Sequence, residues 1–311
     1  MSNNIKTEIM KAIRKSLTTY ERIHTYNDQE EKTTRLLSYM EIDDRGNFVL
    51  DQSFNPEDGS RNTIRRRFDG ENRVVEEVFI DGEEETPYET RLYTYAEGER
   101  IERCDIQYLE DKVCEKYRYD EDGKLLEKEI RYEDGSSYIE TRCTWEGMLL
   151  VKEEEFSDSD ELQLRKEYTY NEKGQPVKIV LYEPEADVSV VNKTTEVLTY
   201  GPQGVEMQET YNISDQLVVR RNFSYDAQGR RDSVIIESAS SYFRHVYGYD
   251  EKGNCILDQM LNKDNVVLNE KHTAFDDKGN EIRIDVYSKN IVDNTDELLL
   301  IESYTTEYQD I

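Results

Sequence analysis

The chain has 311 residues, 69 acidic and 40 basic side chains, a net charge of −29 and an apolar content of 36%, below the ~45–50% of an ordinary globular domain. No apolar run approaches the ~20 residues of a membrane helix. The charge disfavours a nucleic-acid binder, which needs a cationic surface, and favours a basic partner.

Near the N-terminus, Ile5, Ile9, Met10, Ile13 and Leu17 recur at helical spacing. This predicts a helix over roughly residues 4–22, capped by Asn3 or Asn4. Glu8, Lys11, Arg14 and Lys15 break the apolar core that a secretory signal needs, so cytoplasmic residence is expected. Beyond residue 31 the chain is periodic. Ile42-Asp43-Asp44-Arg45-Gly46 and Phe68-Asp69-Gly70-Glu71-Asn72 are degenerate copies of one unit. Tyr95-Ala96-Glu97-Gly98 and Trp145-Glu146-Gly147 shorten its turn. Fuller copies end in Tyr119-Asp120-Glu121-Asp122-Gly123, Tyr170-Asn171-Glu172-Lys173-Gly174, Tyr225-Asp226-Ala227-Gln228-Gly229 and Tyr249-Asp250-Glu251-Lys252-Gly253. Tyr200-Gly201-Pro202-Gln203-Gly204 is looser, and Phe275-Asp276-Asp277-Lys278-Gly279 is the last copy.

Each unit reads as a hairpin. Tyr-x-Tyr puts two aromatics on one strand face. Asp or Asn starts the turn, and Gly supplies the left-handed residue that closes it. Apolar residues then alternate, as in Val177, Ile179 and Leu181 or Ile282, Ile284 and Val286. A second turn follows, as at Glu133-Asp134-Gly135-Ser136. The expected fold is all-β: an elongated, curved, open antiparallel meander of about ten hairpin repeats of roughly 25 residues, with the N-terminal helix capping its open end. The division expected is a capping helix and linker at 1–30 and one sheet domain at 31–311. The insertions Pro184–Asn192 and Asn290–Glu297 are placed at hairpin tips.

Tyr-x-Tyr-Asp-x-x-Gly followed by a strand resembles the YD repeat of the rearrangement-hotspot (RHS) family. The match is best at the units starting at Tyr117, Tyr168, Phe223 and Tyr247 and weakens before residue 110. The resemblance implies hairpins joined side by side into a curved sheet and a setting in contact-dependent bacterial competition. The chain looks short for a full shell, and neither a self-cleaving core segment nor a following toxin domain is expected from it.

No catalytic constellation emerges. His24, His245 and His272 lie far apart in sequence, although adjacent units would bring His245 and His272 within one hairpin of each other. Cys104, Cys114, Cys143 and Cys255 form no C-x-x-C pair and read as free thiols. No metal, no cofactor and no enzymatic activity are expected. The tyrosines are expected to stack along the sheet with hydroxyls reaching water at its rim; a sugar-stacking platform is the alternative. The acidic clusters Glu83-Glu84-Glu85, Glu153-Glu154-Glu155 with Asp158 and Asp160, and Glu183 with Glu185 are expected at or near turns, as solvated tips that stop sheets joining or as a docking surface. The function expected is a non-catalytic acidic protein-binding module, specifically a cytoplasmic immunity protein that blocks a basic toxin domain. The alternatives are a partial-shell carrier or adaptor for a secreted effector and a carbohydrate-binding repeat protein. Neither nucleic acid nor membrane is an expected partner, and a second copy would cover the apolar face of an open sheet.

Overall fold

The computed structural model describes residues 14–26, 29–82, 86–184, 191–289 and 298–310. They form β1 (Arg14–Tyr26), β2 (Gln29–Ile42), β3 (Phe48–Phe54), β4 (Arg61–Phe68), β5 (Val74–Asp81), β6 (Glu89–Tyr95), β7 (Ile101–Tyr108) and β8 (Asp111–Tyr119). β9 (Leu125–Tyr132), β10 (Ser137–Glu146), β11 (Leu149–Phe156), β12 (Leu162–Tyr170), β13 (Pro176–Pro184), β14 (Val191–Gly201) and β15 (Gly204–Tyr211) follow. The last are β16 (Leu217–Tyr225), β17 (Arg231–Ser238), β18 (Tyr242–Tyr249), β19 (Cys255–Leu261), β20 (Val267–Phe275), β21 (Glu281–Lys289) and β22 (Leu298–Asp310). Among the described residues there is no helix.

Each strand pairs antiparallel with the next, and β1 also pairs with β22, from Arg14–Asp310 to Arg22–Glu302. The ring is closed: a barrel of 22 strands. The expected open meander with a helical cap is therefore corrected on both counts. Residues 14–22 of the expected helix lie in β1, and its earlier residues lie outside the described ones. Thr18, Thr19, Tyr20, Ile23, Thr25 and Tyr26 are strand formers, and only Leu17 continued the helical spacing this far. The free edges cover each other: the Thr18 and Thr306 hydroxyls bond at 3.0 Å, and the Tyr20 and Tyr304 rings sit 5.1 Å apart.

The wall is one sheet thick. Few side chains are fully buried, and they occur on both faces: Tyr20, Cys104, Ile106, Ile130 and Val234 on one, Ile23, Ile80 and Val180 on the other. Twenty-two strands at ~4.8 Å spacing make a wall on the order of 100 Å around. This explains the low apolar content: among the described residues, a wall one sheet thick has no thick core to fill. Side-chain crowding distinguishes the two faces. On the tyrosine face, Arg66 and Lys128 are 22% and 20% exposed; on the opposite face, Arg67 and Arg118 are 62% and 60% exposed. Side chains converge on a concave surface and splay on a convex one, so the tyrosine face lines the inside.

The second aromatic of each unit has a specific task. Between successive units the backbone ladder stops short of the rim: β7 and β8 pair only as far as Arg103–Lys116, and β11 and β12 as far as Lys152–Glu167. The turn-entry hydroxyl donates the missing bond to the preceding unit. Tyr119 reaches the Ile101 carbonyl at 2.8 Å, Tyr170 that of Leu150 at 2.7 Å, Tyr225 that of Val205 at 2.7 Å and Tyr249 that of Arg231 at 2.7 Å. Tyr95, Tyr200 and Tyr308 do the same, and Trp145 substitutes its indole N–H, 2.8 Å from the Leu125 carbonyl. The hydroxyls expected to face water are thus backbone donors. Phe68 and Phe275 hold the same position and have no hydroxyl to give.

Candidate binding surfaces

The strand order sends all Tyr-Asp turns to one end of the barrel. At these turns the Asp or Asn carboxamide or carboxylate organises five residues. The Asp120 Oδ1 accepts from the amides of Asp122 at 3.0 Å and Lys124 at 2.8 Å, while Lys124 Nζ lies 3.0 Å from Oδ2. Asp226 holds Arg230 in the same way, Asp250 holds Asn254 and Asn171 holds Gln175. The residue after Gly completes the turn, a role the sequence reading missed although the position is regularly Asn, Gln, Lys or Arg. From there, Arg73 reaches the Gly98 carbonyl at 2.6 Å and Lys124 that of Gly147 at 2.9 Å. Each cation thus ties its turn to the next. Gly123, Gly174, Gly229, Gly253 and Gly279 take φ between +74° and +89°, with Asn72 at +71° in the same place.

The inner wall carries a chain of tyrosine–carboxylate and ion pairs. Tyr93 donates to Glu77 at 2.7 Å and Tyr117 to Glu115 at 2.6 Å; Lys128 lies 2.8 Å from Glu115 and 2.6 Å from Glu140. Burial, then Glu115, pushes the Cys104 thiol up to about 12. The outer wall is tiled instead by ion pairs two residues apart on one strand: Arg103–Asp105, Arg131–Glu129, Lys152–Glu154, Arg165–Glu167 and Arg283–Asp285. Many cations of this acidic chain are therefore engaged within the wall.

The acidic residues singled out from the sequence do not form one patch. Glu153, Glu154 and Glu155 lie in the second half of β11, Glu155 two residues before the turn that starts at Ser157. Glu153 and Glu155 face inward and Glu154 outward, since strand neighbours alternate. Glu153 is 3.6 Å from Lys166 and Glu154 is 3.0 Å from Lys152. Asp158 and Asp160 are exposed in the β11–β12 turn, and Glu183 is exposed near the end of β13. Glu83, Glu84, Glu85 and Glu185 lie outside the described residues, as do most of the two insertions. The described connections at the end opposite the Tyr-Asp turns are acidic: Glu57, Asp58, Glu110, Glu133, Asp134, Asp158, Asp160, Glu161, Asp215 and Asp264 occur there, with Lys263 the single basic residue. The Tyr-Asp end mixes its acids with Arg45, Arg73, Arg100, Lys124, Arg230 and Lys252.

The histidines are kept apart. His245 pairs with Met260 and faces inward, 3.0 Å from Asp258; His272 faces outward, 2.9 Å from Glu270. Among the described residues, no group of three His, Cys, Asp or Glu side chains is disposed to hold a metal. All four cysteines are free.

No protein-family model matches the chain, and no curated protein matches it by sequence. Among solved structures, the chain is similar to the toxin complex TcdB2-TccC3-TEV at 12% identity and a TM-score of 0.36, over 85% of this chain and 16% of that one. The chain thus spans about one sixth of that neighbour's length. It is also similar to a porin-like protein from Bacteroides vulgatus at 15% identity and a TM-score of 0.33, over 67% of this chain and 97% of that one. A porin-like protein from Bacteroides uniformis follows at 7% identity and a TM-score of 0.34, over 95% and 97%.

Proposed function

We propose that the chain is a non-catalytic, acidic protein-binding barrel that engages a basic partner. The observation that carries this reading is the distribution of charge. Cations are engaged in wall ion pairs and in the Tyr-Asp turns, while the described connections at the opposite end carry ten acids and one base, with Lys112 and Lys193 at the adjoining strand ends holding Glu133 and Asp215. Such an end steers a basic protein toward itself and penalises an acidic one. Mid-strand charges on both faces, such as Lys152 and Arg165 outside and Glu115 and Lys128 inside, argue against lipid contact. A lipid-facing Arg or Lys at mid-membrane costs ~2–4 kcal/mol.

The finer reading is a cytoplasmic immunity protein that occludes a basic toxin domain, chosen because the repeat resembles the YD unit. The hollow wall favours a second reading, a carrier that holds cargo within the ring. One capture experiment separates them. The tagged chain is incubated with lysate of its source cells at low and high salt, and bound proteins are identified by mass. A basic partner that is lost at high salt, and lost again on Asp158→Asn, Asp160→Asn and Glu161→Gln together, supports the immunity reading. Capture indifferent to salt and to these substitutions rejects it. Cargo protected from protease by the barrel supports the carrier.

A further inference from the structure

Between the ion pairs of the outer wall, β6 to β9 leave a cavity of about 490 Å³, within the ~300–1,000 Å³ of small-molecule sites. Its lining is of two kinds. Leu92 is 44% exposed on the outer face and makes the apolar side. Arg103 and Arg131 make the cationic side, on β7 and β9. Both flank Cys114 of β8, whose ladder partners are Asp105 and Arg131. The guanidiniums are pre-oriented: Asp105 grips Arg103 through Nε and Nη2, and Glu129 holds Arg131 at 2.8 Å. The carboxylates of the lining are already engaged, Asp105 by Arg103 and Glu133 by Lys112 at 3.8 Å.

We propose that this cavity binds a small organic anion with an apolar body. Its carboxylate, sulfonate or phosphate head lies against Arg103 and Arg131, where charge-assisted, forked hydrogen bonds are strong. Its hydrocarbon covers Leu92. The site meets the acidic end only at Glu133, which Lys112 holds, and it does not include the Asp158, Asp160 and Glu161 tested there, so the two readings are tested separately.

Cys114 serves as the reporter. The intact protein is titrated with 8-anilinonaphthalene-1-sulfonate, and iodoacetamide labelling of Cys114 is followed by peptide mass, with inward-facing Cys143 as reference. The sulfonate should bind saturably and slow Cys114 labelling about tenfold, leaving Cys143 unchanged. N-phenyl-1-naphthylamine, the same body without the sulfonate, should protect far less. Arg103→Gln with Arg131→Gln should weaken the sulfonate about tenfold and leave capture of a basic partner as it was. Undiminished Cys114 labelling at saturating sulfonate, or equal protection by the uncharged analogue, overturns the proposal. Both outcomes are read on the wild-type chain, so a poorly folding variant does not shelter it.

Discussion

A tyrosine hydroxyl at the turn entry is worth one backbone hydrogen bond to the wall. Tyr119→Phe leaves the Ile101 carbonyl without its donor and should cost about 1 kcal/mol. Phe275→Tyr should return a similar amount by reaching toward the Cys255 carbonyl, the corresponding atom of the preceding unit. Thermal midpoints of the two variants check both signs. The turn carboxylates make a second residue-scale prediction. The Arg73 amide, and then its guanidinium against partial burial, hold the Asp69 carboxyl below the usual range; the Asn254 side chain does so first for Asp250. A carboxylate with a depressed folded value stabilises above its unfolded value of ~3.9 and loses that contribution as pH falls through the folded one. The advantage of wild type over Asp69→Asn with Asp250→Asn should therefore be constant from about pH 8 to 5 and shrink below about pH 4. Melting curves across that range test it. At this scale the sequence was partly legible. Tyr, Asp and Gly stood out because the turn demands them. The residue after Gly did not, because Asn, Gln, Lys and Arg can all bond the same carboxylate or carboxamide.

Among the elements, the Tyr-Asp hairpins were the most legible, since alternation and turn chemistry agree there. Gly279 shows the backbone requirement in isolation: φ is +84° and nothing lies within 4 Å of where a Cβ would sit. Gly279→Ala should cost about 1 kcal/mol from backbone strain alone, read as a lower thermal midpoint. One element was misread. β1 was taken as helix because Ile5, Ile9, Ile13 and Leu17 share a helical face, although the Thr- and Tyr-rich stretch beyond favours a strand. Glu153-Glu154-Glu155, expected at or near a turn, are strand residues that lead into the β11–β12 turn. In β11 they are tolerable because alternation sends Glu154 to Lys152 on one face and Glu153 to Lys166 on the other. The distant His245 and His272 failed to meet for the same reason of parity.

For the whole molecule, closure was the part the sequence did not disclose. A period-two pattern says which way a side chain points and nothing about which strand lies beside the last one. Thr18, Tyr20, Glu302 and Thr306 make the seam, with the Tyr20 hydroxyl 3.1 Å from Glu302, and none of them looks unusual in isolation. Deleting residues 298–311 should open the ring and expose the edges of β1 and β21. Open edges of this length template pairing between chains, so light scattering should find oligomers where the full chain runs as a smaller species. The acidic end was legible as composition but not as a place, because only the topology sorts the connections into two ends.

The tyrosine bond between units ends on a main-chain oxygen. It asks nothing of the neighbour's side chains, so any unit can follow any other. Duplication or loss of one stretch of roughly 25 residues would add or remove two strands, changing the circumference of the ring while leaving every junction chemically as it was. A wall joined in this way can be resized by recombination between its own copies, and its units are free to diverge outside the turn and the alternation between them, even, as at Phe68 and Phe275, in the donor itself.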